Sequence, residues 1–168
     1  VETMSVDGVC HVIQVTDKLT SGAPDFVEMG HTQPSMFAED IKMRISEVAK
    51  AGIKALGINH GPSHTEIKLT STGPKIVEIG ARLGGGCITT HLVPLSTGVN
   101  MVEANIRIAL GETPDLCKKY DKGAAIRFLQ PLPGIFKSVE GVDEARGISG
   151  VIEVGFMKKI GEVIPELS

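Results

Sequence analysis

Alternating apolar and polar residues form two short runs in the middle of the chain. The runs cover positions 64–70 (HTEIKLT) and 75–80 (KIVEIG), and the turn-forming residues Ser-Thr-Gly-Pro lie between them. This pattern predicts an antiparallel β-hairpin, because a short turn makes the two strands neighbours. Glu66 and Glu78 each interrupt an otherwise apolar or β-branched run. Because a lone carboxylate is costly to bury, we expect each of them to face a counter-charge.

A second hairpin is predicted at the start of the chain. Positions 1–6 and 9–16 flank the pair Asp7-Gly8, and an Asp-Gly pair between alternating segments is a strong hairpin signal. The segment FVEMGHTQPS at 26–35 begins with apolar residues that suit a buried strand, and leaves Glu28 and His31 as polar groups near its end.

Three helices are predicted from apolar spacing. The first begins after an N-cap at Ser35 and ends at the C-cap Gly57. The other two cover about 88–95 and 99–110, and Pro94 shortens the former. The predicted buried face of the first helix comprises Phe37, Ile41, Ile45, Val48, Gly52 and Leu56. The predicted buried face of the last comprises Val99, Val102, Ile106, Ala109 and Leu110.

The order of these elements predicts an α+β fold, an antiparallel β-sheet flanked by helices and followed by a small β-rich cap. We place the main subdomain at residues 1–114, a polar linker at 115–122 and the cap at 123–168. The cap is predicted to contain a strand, a Pro-rich turn and a second strand in AAIRFLQPLPGIFKSVEG, a short helix at VDEARGI, and a strand in VIEVGFMKKIGEVI that is followed by a turn at Gly161. The chain begins within a strand, without a methionine, and ends after half of a hairpin. We therefore expect it to be a piece of a longer protein.

Composition narrows the function classes. The chain has 168 residues, of which 42% are hydrophobic and 22% charged, which suits one compact domain or a pair. Its net charge of −3 and its scattered basic residues exclude a nucleic-acid or anionic-membrane footprint. Three cysteines without metal-ligand spacing indicate reduced thiols in the cytoplasm. No apolar run reaches the length of a membrane span, and no signal peptide is visible.

The central hairpin also carries the candidate chemistry. Two carboxylates on adjacent strands repel each other unless a proton, an arginine or a divalent cation lies between them. Arg82 follows Glu78 by four positions, and Gly84, Gly85 and Gly86 follow Arg82. Glycines allow backbone to approach a bulky anion. Carboxylates, an arginine and a glycine loop together indicate a Mg²⁺–nucleotide polyphosphate site.

The stretch HTEIKLTSTGPKIVEIGARLGGG resembles the C-terminal half of the ATP-grasp fold, most closely in its amino-acid ligase branch. The resemblance implies that Glu66 and Glu78 hold Mg²⁺, or Mn²⁺, against the phosphates of ATP, and that Arg82 contacts the phosphate or acyl phosphate. The family usually has an asparagine two residues after the second glutamate, where this chain has Gly80. The ordinary alternative is that both glutamates are exposed residues of a plain hairpin.

The segment FVEMGHTQPS also resembles the amino-acid ligase branch. The resemblance implies that Glu28 and His31 lie on the substrate side, where they would bind an ammonium group and direct a proton. Lys18 is a candidate for binding a phosphate or a substrate carboxylate, although a lysine beside a loop is usually just solvated. The basic cluster that biotin-dependent carboxylases carry in this region is absent from TDKLTSGAPDF, which argues against a carboxylase.

Two further residues are weaker candidates. Glu2 falls near a strand glutamate that faces the nucleotide in ATP-grasp proteins, but we interpret it here as an ordinary strand residue. His64 precedes Glu66 by two positions and shares its strand face, so that it either joins the phosphate site or serves an indirect or merely exposed role.

The resemblance implies an ATP-dependent carboxylate–amine ligase that forms an acyl phosphate and releases ADP. Its partners would be a small-molecule carboxylate and amine, the preceding part of the same protein, and, in a homodimer, a second copy. The piece alone would be inactive. The alternatives are a biotin carboxylase, a carbamoyl-phosphate synthase relative or a purine-biosynthesis enzyme of the same superfamily, and a non-catalytic module that keeps the fold.

Overall fold

The computed structural model describes residues 1–166, which form two units. The first unit contains Val1–Thr20 and Glu28–Phe128. The second contains Ser21–Val27 and the described residues from Leu129 onward. The α+β class predicted from the sequence is confirmed, since antiparallel sheets combine with a few helices. In the described part of the chain, no helix is both long and apolar enough to span a membrane.

The larger sheet of the first unit has four antiparallel strands in the order β2-β1-β5-β6. Their bounds are β1 Glu2–Val6, β2 Val9–Gln14, β5 Gly61–Thr70 and β6 Gly73–Gly80. The hairpin predicted at Asp7-Gly8 is confirmed: both residues have positive φ, 49° and 77°, which a tight two-residue turn between twisted strands requires.

A second antiparallel sheet in the same unit has the order β3-β4-β7. Its strands are β3 Asp17–Thr20, β4 Glu28–Gln33 and β7 Ala124–Arg127. Strand β7 was predicted to begin the cap, but it pairs with β4 within the first unit. The C-terminal part of the second unit therefore begins at Leu129, and residues 115–122, predicted as a linker, lie inside the first unit.

Helix α1, Glu39–Ala55, covers one face of the larger sheet. Ile45 and Ala49 pack with Val1 and Val15 in one apolar cluster, so the buried stripe differs from the predicted one. The predicted ends of that stripe, Phe37 and Leu56, are exposed. The predicted N-cap is also wrong. Ser35 is buried, its hydroxyl accepts a hydrogen bond from the Phe37 amide at 3.3 Å, and the helix starts four residues later.

The helices after the glycine run supply the second apolar cluster. A π-helical turn, Ile88–Leu92, leads directly into α2, Val93–Thr97, and α3 follows at Met101–Ala109. Pro94 therefore sits at the start of α2 instead of ending a helix. The buried face predicted for α3 is wrong in part, because its buried residues are Met101 and Ala104. The cluster contains Met4, Ile13, Ile88, Leu92, Val93, Val99, Met101 and Ala104.

The second unit has little regular structure in its described residues. Strands β8, Gly134–Ile135, and β9, Val163–Ile164, pair antiparallel, and α4 spans Val142–Arg146. The short helix predicted there is present. The strand predicted before Gly161 in VIEVGFMKKIGEVI is not formed, since residues 151–160 contain no strand.

Packing of helix α1 against the larger sheet should contribute strongly to stability. Ile53→Ala removes a side chain that is 1% exposed, and we expect a loss of about 2–5 kcal/mol in the free energy of unfolding. Ile106→Ala on α3 is the matched control, since Ile106 is 55% exposed and should cost less than about 1 kcal/mol. Urea denaturation monitored by circular dichroism measures both. Equal losses would contradict the assigned packing.

Candidate functional site

The two strand glutamates face each other across the β5–β6 hairpin. Glu66 is the register partner of Glu78, and a register shift directly after Glu66 leaves Val77 as an extra residue on β6. Without this bulge, the ladder that starts at Thr70 opposite Gly73 would place Glu66 opposite Val77. Glu78 would then point to the other face, because side chains alternate along a strand. The bulge therefore brings both carboxylates to the same face of the sheet.

Lys18 connects this face to the second sheet. Its Nζ lies 2.7 Å from Glu66 Oε1 and 2.7 Å from Glu28 Oε1. Burial alone would lower the pKa of Lys18, but the hydrogen bonds to the two carboxylates outweigh it and raise that pKa. The hydrogen bond from Lys18 lowers the pKa of Glu66, against a smaller opposing effect of burial. Lys18 is therefore a bridging cation between the two carboxylates, not a solvated loop residue.

Glu28 and His31 lie together, as their spacing predicted. His31 Nε2 is 3.6 Å from Glu28 Oε2, and the imidazole is only 1% exposed, with its ring edge-on to Phe128 at 5.8 Å between centroids. Burial lowers the pKa of His31 and outweighs the attraction of Glu28. Neither ring nitrogen of His31 has a hydrogen-bond partner among the described residues. Burial thus favours the neutral imidazole, whose two nitrogens are themselves buried.

Arg82 lies beside the second glutamate. Its guanidinium is 3.8 Å from Glu78 Oε1 and donates a hydrogen bond to the Leu83 carbonyl at 3.1 Å. A Cβ at Gly80 would lie 3.2 Å from the Cγ and from the Nε of Arg82, so the arginine side chain folds over the position where the family's usual asparagine would project. Half of the Arg82 side chain is exposed, which leaves the cation available to an anion.

Sequence reasoning undervalued Glu2. Glu2 is fully buried in β1, directly opposite His64 in β5, and its Oε1 lies 2.8 Å from His64 Nδ1. We had expected Glu2 to be an ordinary strand residue. The signal that could have identified it is the one used for the hairpin glutamates: Glu2 interrupts an apolar and β-branched strand, VETMSV.

The argument from the cost of burying a carboxylate was applied to Glu66 and Glu78, but these are not the buried carboxylates. The side chain of Glu78 is 61% exposed and that of Glu66 31% exposed, whereas Glu2 is the buried one. The expected counter-charges are nevertheless present, with Lys18 on Glu66 and Arg82 on Glu78. Arg107 pairs with Glu103 at 2.8 Å and Glu112 at 3.0 Å on the exposed side of α3.

The residues present fit a Mg²⁺–polyphosphate group. Within residues 1–166, no cluster of three or more His, Cys, Asp or Glu side chains is arranged to hold a metal ion by itself. Mg²⁺ in phosphoryl-transfer sites is usually held by one or two carboxylates, with substrate phosphates and water completing its shell. Glu66 and Glu78 supply that number of hard oxygen donors on one sheet face.

The chain belongs to the ATP-grasp family. The family model for the ATP-grasp domain matches residues 2–90, which include both hairpin glutamates, Arg82, Lys18 and the Glu28–His31 pair. The resemblance found in the sequence is therefore confirmed at the level of the family.

Individual relatives are ligases or lack an assigned function. Alanine–anticapsin ligase of Bacillus subtilis is 35% identical over 86 residues, which cover 51% of this chain and 18% of that protein. Uncharacterized protein y4rH of Sinorhizobium fredii is 30% identical over 142 residues, 84% of this chain and 30% of that protein. The crystal structure of an L-amino acid ligase from Bacillus licheniformis superposes with a TM-score of 0.89 at 27% identity, covering 98% of this chain and 44% of that one. The chain thus spans less than half the length of each of these proteins.

Removing the bridging cation should change the titration of Glu66. In Lys18→Met we expect the pKa of Glu66 to rise, because the hydrogen bond to Lys18 is the main cause of its lowered pKa. A carboxyl group whose pKa is lowered by folding stabilises the fold at pH values above its ordinary pKa of 4.5, and this stabilisation is lost as the pH falls. The variant lacks most of this stabilisation, so it should also lose less stability on acidification. Carbon-13 NMR of the Glu66 carboxyl across pH measures the first effect.

The control is Lys42→Met, which removes a lysine paired with Glu39 on α1. It should leave the titration of Glu66 unchanged. A Glu66 pKa that is the same in Lys18→Met as in the original chain would contradict the bridging role.

Proposed function

We propose that this chain supplies the magnesium and phosphate half of an ATP-dependent carboxylate–amine ligase of the amino-acid ligase kind. The observation that carries the proposal is the pairing of Glu66 with Glu78 on one sheet face, with Lys18 and Arg82 beside them. The likeness to alanine–anticapsin ligase and to the L-amino acid ligase supports the reaction class.

In the proposed reaction, a carboxylate oxygen of one substrate bonds to the γ-phosphorus of ATP as the bond from that phosphorus to the β–γ bridging oxygen breaks. The products of this step are an acyl phosphate and ADP. The amine of the second substrate then attacks the acyl carbon, phosphate leaves, and the nitrogen loses a proton. Mg²⁺ held by Glu66 and Glu78 would supply neutralisation of the phosphate charge.

Arg82 has the placement needed for the charge that develops during transfer. Its guanidinium is half-exposed and held near Glu78 at 3.8 Å, a distance that leaves its donors free to turn toward a phosphate or acyl phosphate. Donors of this kind, aimed at developing charge, are among the larger contributions to catalysis.

Glu28 and His31 have the properties of an amine-side pair. Glu28 is partly exposed and shares Lys18 with Glu66, while burial lowers the pKa of His31 and so favours the neutral imidazole, the form that can accept a proton. An incoming ammonium group would meet a carboxylate and a neutral imidazole 3.6 Å apart. We assign binding of the amine to Glu28 and proton acceptance to His31.

Two rival functions remain to be separated by experiment. A bicarbonate-using relative shares the same fold, but the segment after β2 lacks the basic cluster expected of it. A non-catalytic module would keep the fold without needing the carboxylates. Because the chain covers 44% of the solved ligase, we also propose that flanking sequence completes the ATP and substrate pockets.

We also propose that the enzyme works in the cytoplasm. The free state of Cys10, Cys87 and Cys117 supports that compartment.

The test uses the protein that contains this chain together with its flanking sequence. We expect ADP release that depends on a pair of amino acids, and we expect Glu66→Gln and Glu78→Gln each to lower kcat/KM by at least about a hundredfold. Glu47→Gln is the control, since Glu47 is an exposed residue of α1 paired with Lys50. Its activity should stay within about twofold of the original.

The rivals give different results in the same assay. ADP release that depends on bicarbonate would replace the ligase by a carboxylase. The absence of any nucleotide turnover, together with unchanged partner binding in Glu78→Gln, would replace it by a non-catalytic module.

A further inference from the structure

Glu2 and His64 form a buried polar pair next to the carboxylate Glu66. The two residues are register partners on β1 and β5, and Glu2 Oε1 lies 2.8 Å from His64 Nδ1. Glu2 is fully buried and His64 is 8% exposed. Burying a carboxylate costs free energy unless a partner group interacts with it. If the residue served packing alone, an apolar side chain would stabilise the fold better.

The pair reaches two parts of the site. On one side, His64 Nε2 lies 3.7 Å from Glu66 Oε1, an electrostatic contact just beyond hydrogen-bond length. On the other side, the glycine loop 84–86 lies directly on the pair: a Cβ at Gly84 would come within 2.7 Å of Glu2 Oε2 and 2.9 Å of His64 Nδ1. Only a residue without a side chain fits at position 84.

The loop is fixed from its other end by the helical turn that follows it. The Thr89 hydroxyl donates a hydrogen bond to the Gly84 carbonyl at 2.8 Å, and the Ile88 amide donates one to the Gly85 carbonyl at 2.9 Å. Glu2 Oε2 has no hydrogen-bond partner among the described residues, although it is buried beneath this loop. The buried pair is thus the surface on which the loop between Arg82 and the helices rests.

We propose that Glu2 and His64 are positioning residues that fix the orientation of Glu66 and the path of the glycine loop together. Glu2 orients the imidazole through Nδ1, which directs Nε2 at Glu66, as a carboxylate orients a histidine next to a metal ligand. The consequence for catalysis rests on the proposed function, whereas the coupling between the pair, Glu66 and the loop is a property of the chain itself.

The test compares three variants of the 168-residue chain by NMR at pH 7. Glu2→Gln keeps the hydrogen-bonding acceptor, Glu2→Met keeps the volume without it, and His64→Asn keeps a donor near the Nδ1 position but removes Nε2. The readouts are the order parameters of the Gly84–Gly86 amides and the carboxyl ¹³C shift of Glu66, with the shift of Glu47 as reference. Thermal unfolding establishes that each variant is folded.

The proposal predicts that Glu2→Gln retains the original signals. Glu2→Met should lower the loop order parameters from about 0.85 to below about 0.6 and move the Glu66 signal. His64→Asn should move the Glu66 signal while the loop stays ordered, and it serves as the decisive variant should Glu2→Met fail to fold. Original signals in both Glu2→Met and His64→Asn would overturn the proposal, as would a Glu2→Gln variant that behaves like Glu2→Met.

Amino-acid-dependent ADP release, measured in the protein with its flanking sequence, separates this inference from the proposed function. The predicted NMR changes in the chain, together with no such ADP release, would refute the proposed function and keep the positioning pair. ADP release that Glu66→Gln lowers, together with unchanged NMR signals in the Glu2 and His64 variants, would do the reverse.

Discussion

The register of the β5–β6 hairpin is the constraint on which the site depends. One extra residue, Val77, changes the strand partner of Glu66 so that Glu78 shares its face. Two like charges placed this way repel each other, and the structure offsets that repulsion locally: Lys18 binds Glu66 at 2.7 Å and Arg82 lies 3.8 Å from Glu78. The same repulsion makes the pair a favourable place for a divalent cation, which attracts both carboxylates at once.

The polar centre combines side chains from two sheets, and the backbone of the glycine loop lies close to them. Glu2, His64 and Glu66 come from the larger sheet, while Lys18 and Glu28 come from the smaller one. The glycine loop then approaches more closely than any side chain would permit. As a result, the buried pair Glu2–His64 connects through Glu66 and Lys18 to Glu28 in one continuous electrostatic network.

Local signals in the sequence predicted much of this arrangement. Asp7-Gly8 specified the first hairpin through its backbone preferences, and the paired glutamates, Arg82 and the glycines indicated the correct family. The face shared by Glu66 and Glu78 was not predictable from alternation, since a regular ladder would have separated them and only the bulge unites them. The site roles of these residues remain predictions.

Long-range packing accounts for what sequence reasoning missed. Strand β7 was assigned to the cap because it follows a polar stretch, but its partner β4 lies about a hundred positions earlier, and no local signal records that pairing. The buried face of α3 was misjudged because Ile106 and Leu110 are apolar yet exposed, while Met101 and Ala104 face the core. Glu2 was undervalued because its partner His64 lies 62 positions later in the sequence.

Paramagnetic relaxation by Mn²⁺–ATP is the most direct test of the claim that Glu66 and Glu78 hold the metal beside the phosphates. In the ¹⁵N-labelled protein that contains this chain with its flanking sequence, the account predicts that amide signals of Glu66, Glu78 and residues 80–86 broaden first, and that the broadening disappears in the double variant Glu66→Gln, Glu78→Gln. Broadening confined to the acidic residues of α1, or unchanged in the double variant, would contradict it.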